Sequence, residues 1–105
     1  MKFLITASYS ADGAKGLIKE GGSGRKAAVE QALAGVGGKL ESIYYTFGEH
    51  DVILIADVPD TAGALAISLA ANATGTVRVT TTPLIPVADV DAACKKTVKF
   101  RPAGS

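Results

Sequence analysis

Residues Lys2 to Tyr9 alternate apolar with small or hydroxylic side chains and are rich in β-branched and aromatic residues, which predicts a first strand. A turn at Ser10–Gly13 leads into one or two helical turns over Ala14–Glu20. The run Gly21-Gly22-Ser23-Gly24 breaks the chain, and Ser23 is placed to cap a following helix. That helix carries Val29, Ala32, Leu33 and Val36 on one stripe and ends at Gly37-Gly38. Lys39–Phe47 has the aromatic and β-branched content of a second strand, and Gly48-Glu49-His50 is short enough for a hairpin loop. Asp51–Val58 is nearly continuous apolar sequence, the mark of a strand covered on both faces.

Pro59 stops this third strand, and Asp60 is the expected cap of a helix whose buried stripe is Ala62, Leu65, Ala66, Leu69, Ala70 and Ala73, closed by Gly75. Thr76–Leu84 alternates as a fourth strand, with Pro83 marking an edge or a strand end. Asp89–Lys96 predicts a short last helix with acids early and lysines late, an order that suits its dipole. The order β-α-β-β-α-β predicts an α+β fold, a ferredoxin-like plait with an antiparallel four-stranded sheet and an extra C-terminal helix. One domain is expected over residues 1–98, with a flexible tail over 99–105.

In such a plait the helices cover one sheet face. Parity assigns Phe3, Ile5, Ala7, Ile43, Tyr45, Phe47, Val52, Leu54, Ala56, Val77 and Val79 to that face. The opposite face then receives Leu4, Thr6, Ser8, Leu40, Ser42, Tyr44, Thr46, Ile53, Ile55, Asp57, Arg78, Thr80 and Thr82. This second set is rich in aliphatic and hydroxyl side chains and poor in charge, unlike a solvated sheet face. The expectation is a homodimer, or a higher oligomer, in which two sheets pack face to face; a standard interface removes ~800 Å² per partner. The alternative is that the terminal helix folds back over this face within one chain.

Composition narrows the function classes. The chain has 105 residues, is 48% hydrophobic and 20% charged, and its 11 basic residues nearly balance 10 acidic ones. That balance argues against a nucleic-acid partner, and no RNA-binding aromatic signature lies on the strands. No segment approaches the ~20 apolar residues of a membrane span, and the N-terminal apolar run is too short for a signal peptide, so the expected address is cytoplasmic. Cys94 and His50 alone cannot build a zinc site, and neither a metal nor a cofactor is expected. The degenerate G-x-G-x-x-A at Gly22–Ala27 lacks a preceding strand and reads as a helix junction, although Arg25 and Lys26 there attract anions.

Candidate ligand-binding residues are Tyr9, Tyr44, Arg78 and Thr80, together with Tyr45, whose hydroxyls and single guanidinium suit a small polar or anionic molecule. The expected role is a sensor or accessory factor that binds this molecule near the sheet or the subunit interface. The competing candidate is a cofactor-independent enzyme with His50 as acid/base, Asp51 as its orienter, and Tyr44 or Arg78 stabilising negative charge.

The stretch Tyr44–Ile55 (YYTFGEHDVILI) resembles the GYD-domain family, small bacterial and archaeal proteins named for a Gly-x-Tyr-Asp signature. Gly48 and Asp51 match the signature, and His50 stands where the family has tyrosine. The resemblance spans roughly Lys2 to Ala88 and includes Tyr9, Gly13-Ala14-Lys15-Gly16, Gly37-Gly38-Lys39, Val58-Pro59-Asp60 and Thr76–Thr81. It implies a place in the dimeric α/β-barrel superfamily, in agreement with the sheet-face reading, and it implies no assigned activity.

Overall fold

A computed structural model describes residues 1–46 and 48–105; the strand expectation at Phe47 falls outside the described residues. The elements are β1 (Lys2–Tyr9), α1 (Ala11–Ala34), β2 (Lys39–Tyr45), β3 (Val52–Asp57), α2 (Thr61–Ala73), β4 (Val77–Pro83) and α3 (Val87–Cys94). The strands form one antiparallel sheet in the order β2-β3-β1-β4. This is the ferredoxin-like plait, with the two βαβ halves interleaved.

Parity in β1 and β3 falls as the alternation predicts. Phe3 faces Ala56, Ile5 faces Leu54 and Ala7 faces Val52, and all six are buried with Leu33, Val58 and Ala64. Val77 and Val79 join from β4. Leu40 departs from the prediction. A bulge between Leu40 and Ser42 inserts Glu41, so Leu40 lies opposite Ala56 and packs on the helix side, while Ser42 and Tyr44 keep the open face. One extra residue reverses the parity of everything before it. Pro83 ends β4 on the sheet edge, where a missing amide costs little.

α1 corrects the first helical region. Ser10 caps it, its Oγ accepting the Gly13 amide at 3.2 Å, and helical backbone runs on both sides of a single break at Gly21. Gly21 takes φ 77°, which glycine adopts without a Cβ clash. The helix has resumed by Ser23, so Ser23 lies inside it and is not its cap. The four-residue break shrinks to one because the following turns are held by Leu33, Val29 and Val36 against the sheet.

α2 is capped by Asp60 as expected, Oδ1 accepting the Gly63 amide at 2.7 Å. Its predicted buried stripe is wrong. Leu65 is 55% and Leu69 61% exposed, while Ala64 and Ser68 are buried and Ile67 packs on the core. α2 is apolar nearly all round, so periodicity alone selects no face. The sheet takes the side carrying Ala64, Ile67 and Ser68, and Ser68 hydrogen-bonds Thr81 of β4 across the seam.

α3 stays clear of the sheet: every residue from Thr82 to Ser105 is exposed. The radius of gyration is 17.1 Å, against ~13 Å for a compact domain of this length. The open sheet face is therefore uncovered within one chain. Among the described residues no helix is long and apolar enough to cross a membrane.

Candidate functional site

Two concavities flank the β1–β4 half of the sheet. The first is a cavity of about 460 Å³ between α1, α2 and the helix-side sheet face. Ile5, Ala7, Leu54 and Val79 form its floor. Its walls are Gly16, Ala28 and Ala32 of α1 and Ala70 and Ala71 of α2. The space exists because side chains this short cannot bridge two helices packed on one sheet.

Polar groups gather at one end, at Tyr9, Asp12, Glu20 and Arg25. Arg25 donates to Glu20 Oε2 at 3.1 Å, an ion pair that spans the Gly21 kink. The hydrogen bond to Glu20 holds the guanidinium pKa above its ordinary value, against burial, with Tyr9 adding a smaller push. Tyr45 donates its hydroxyl to Gly22 O at 3.0 Å and so ties β2 to the residue after the kink. Burial, then the nearby Tyr9, raises the Tyr45 phenol, and Arg25 partly offsets this. The cavity thus combines an apolar body with one charged, hydrogen-bonding end, the usual composition of a small-molecule site.

The second concavity is a groove of about 900 Å³ along the outer edge of β4. It brings together Tyr9, Arg78 and Thr80, three of the four sequence-predicted ligand residues, with Ser8, Ser10 and Asn72. Much of its polar lining is already engaged. Asn72 Nδ2 donates to Val79 O at 3.2 Å and its Oδ1 accepts the Val79 amide at 2.7 Å, which satisfies part of the β4 edge. Tyr44 stands apart: it is on β2, three strand spacings from β4, or about 14 Å across the sheet. Tyr9 and Tyr45 belong to the helix side, while Tyr44, Arg78 and Thr80 are on the open face.

His50 is half-buried in the β2–β3 connection and lines neither concavity. Asp51 serves the backbone. Its Oδ2 accepts the Tyr9 amide at 2.8 Å, its own amide donates to Ala7 O at 2.8 Å, and its carbonyl accepts the Thr46 amide at 2.9 Å. Ser8 Oγ donates to Glu49 O at 3.2 Å and fastens the same loop to β1. Asp51 therefore fixes the end of β1 and the start of Tyr9, and in this geometry its bonded oxygen orients no histidine. Among the described residues, no cluster of three or more His, Cys, Asp or Glu is placed to hold a metal ion.

Sequence reasoning missed Asp12 and Glu20 and gave Arg25 no partner. Glu20 and Arg25 lie five positions apart with Gly21 between them, so helical spacing does not pair them. The kink does. A family model described as the GYD domain matches residues 3–94. No curated protein and no solved structure matches the chain.

Proposed function

The chain belongs to the GYD-domain family, and from that premise we propose that it works as a homo-oligomeric binding protein, a sensor or accessory factor, for a small molecule with an apolar body and one polar end. The observation that carries this reading is the helix-side cavity, apolar along its floor and polar only at the Tyr9–Glu20–Arg25 end. Arg25 and Glu20 neutralise each other and Asp12 adds a carboxylate, so the ligand's polar end meets a hydrogen-bonding cluster of net negative charge. Tyr9 is the one predicted ligand residue at this cavity.

A second reading keeps a polar or anionic ligand in the outer groove. It is favoured by Tyr9, Arg78 and Thr80 sharing that groove, with Arg78 in none of the ion pairs among the described residues. No observation favours His50 as an acid/base, because it lines neither concavity.

A thermal-shift panel of small aromatic and aliphatic acids, amines and alcohols separates the two. A ligand at 100 times its Kd stabilises the fold by about 2.7 kcal/mol. The cavity reading expects hits with wild type and with Arg78→Ala, and none with Ala28→Phe, whose ring fills the space between the helices. Hits that survive Ala28→Phe and vanish in Arg78→Ala place the ligand in the groove. A panel without saturable hits, or hits untouched by either variant, overturns the binding reading.

A further inference from the structure

We propose that the helix-side cavity takes an organic cation, a primary alkyl or aryl amine whose carbon chain lies over the floor and whose ammonium sits at the polar end; this rests on the cavity being the binding site and names the class of its ligand. Three charged side chains line the cavity, Asp12, Glu20 and Arg25, two negative and one positive, and among the described residues no lysine or histidine joins them. Glu20 meets Arg25 through Oε2 at 3.1 Å, and Asp12 is in none of the ion pairs among the described residues. One carboxylate is therefore left over. An ammonium brings it three donors and no acceptor, whereas an acid brings only acceptors.

The helix ends that meet here agree with that sign. α1 begins beside the loop before β4, where a Cβ on Gly13 would stand 1.9 Å from Thr76 O. Its positive end is already answered, since Ser10 Oγ accepts the Gly13 amide at 3.2 Å and Asp12 stands in the first turn. α2 ends beside the same loop, with Thr74 Oγ1 donating to Ala71 O at 2.7 Å and accepting the Thr76 amide at 3.2 Å. Its last turn holds no basic residue, and Ala70 and Ala71 bring its negative end to the cavity wall. An acid seeking Arg25 must displace Glu20 and then lies beside the carboxylate it displaced. An amine leaves that pair intact and adds the missing positive charge.

Titrations of the full chain with n-hexylamine, n-hexanol and n-hexanoate, followed by amide chemical shifts at low salt, test the charge at constant chain length. A unit charge met at ~4 Å changes affinity roughly fivefold even in a water-like dielectric. The amine is therefore expected to bind roughly tenfold or more tightly than hexanoate, with hexanol between them. n-Butylamine, two methylenes shorter, should bind roughly fifteenfold more weakly than n-hexylamine. Asp12→Asn leaves the polar end neutral and should bring amine and hexanoate together. Asp12→Asn/Glu20→Gln leaves Arg25 as the one charge there and should put hexanoate first; these amides nearly match the acids in shape, and circular dichroism should match wild type. Ala28→Phe, or Ala71→Leu from the opposite wall, should abolish binding of all three probes. Binding lost in the wall variants but with hexanoate held as tightly as the amine, or an order unchanged in both amide variants, overturns the amine assignment and leaves the cavity as a site. Binding of none of the probes, or binding that survives both wall variants, overturns the cavity reading and this assignment with it.

Discussion

Gly13 offers the sharpest test of how α1 is seated at the cavity mouth. A Cβ at Gly13 would stand 1.9 Å from Thr76 O and 2.9 Å from Tyr9 Cδ1. The first of these neighbours is backbone and is fixed twice over, because Thr76 O accepts the Ser10 amide at 2.9 Å and the Ser10 hydroxyl at 3.1 Å. The helix must therefore lift away from the loop before β4. Overpacking costs about 1–3 kcal/mol, and disturbing the Ser10 cap costs about 1 kcal/mol more. The gain from replacing a helical glycine by alanine, about 0.5–1 kcal/mol, offsets part of this. Gly13→Ala is thus expected to lose about 1–3.5 kcal/mol, or roughly 5–25 °C in Tm for a chain of this size. Gly16, one turn later in the same helix, has open space around its Cβ direction. Gly16→Ala should then stabilise by about 0.5–1 kcal/mol. Urea denaturation of both variants decides the matter. Equal shifts of the same sign, or a Gly13→Ala protein as stable as wild type, would refute the seating described.

Two further outcomes follow from the same geometry. Asp51→Ala leaves the Tyr9 amide without its acceptor and is expected to cost about 1–3 kcal/mol, whereas Asp51→Asn keeps an oxygen there and should cost clearly less; equal losses in urea titrations would contradict the anchoring role. Tyr45→Phe removes the hydrogen bond to Gly22 and is expected to cost about 0.5–1.5 kcal/mol near neutral pH. Its pH dependence has a definite sign. The folded phenol is raised above its ordinary value of 10.0, so its contribution is complete below pH 10 and is lost as pH rises through the raised value. Stability measured from pH 8 to 12 should therefore fall less steeply in Tyr45→Phe than in wild type, and parallel curves would refute the assignment.

Legibility in the sequence tracks how many neighbours each residue needed. The spatial grouping of the candidate residues was legible in part. Tyr9, Arg78 and Thr80 do share a groove, because parity and element order suffice to bring the end of β1 beside the start of β4. Tyr44 was misplaced relative to them because strand order, with β2 and β4 on opposite edges, separates residues that share a face. Asp51 next to His50 suggested a dyad, but the carboxylate had a closer use in the Tyr9 amide two strands of sequence away. Glu20 and Arg25 became partners only through a backbone angle at Gly21 that spacing does not encode.

The alternation of Phe3, Ile5 and Ala7 against Val52, Leu54 and Ala56, the cap at Asp60 and the order of elements are all written in the chain. These are local properties, fixed by a two-residue period or by a side chain reaching its own helix terminus. Tertiary structure decided which face of α2 is buried, on which side Leu40 lies, and that α3 does not cover the open sheet face. An all-round apolar helix has no preferred face until a sheet packs against one, and one bulged residue inverts a parity that the chain alone cannot show. The cavity is a product of the same choice, since it is the gap left where alanines and glycines of two helices meet over one sheet.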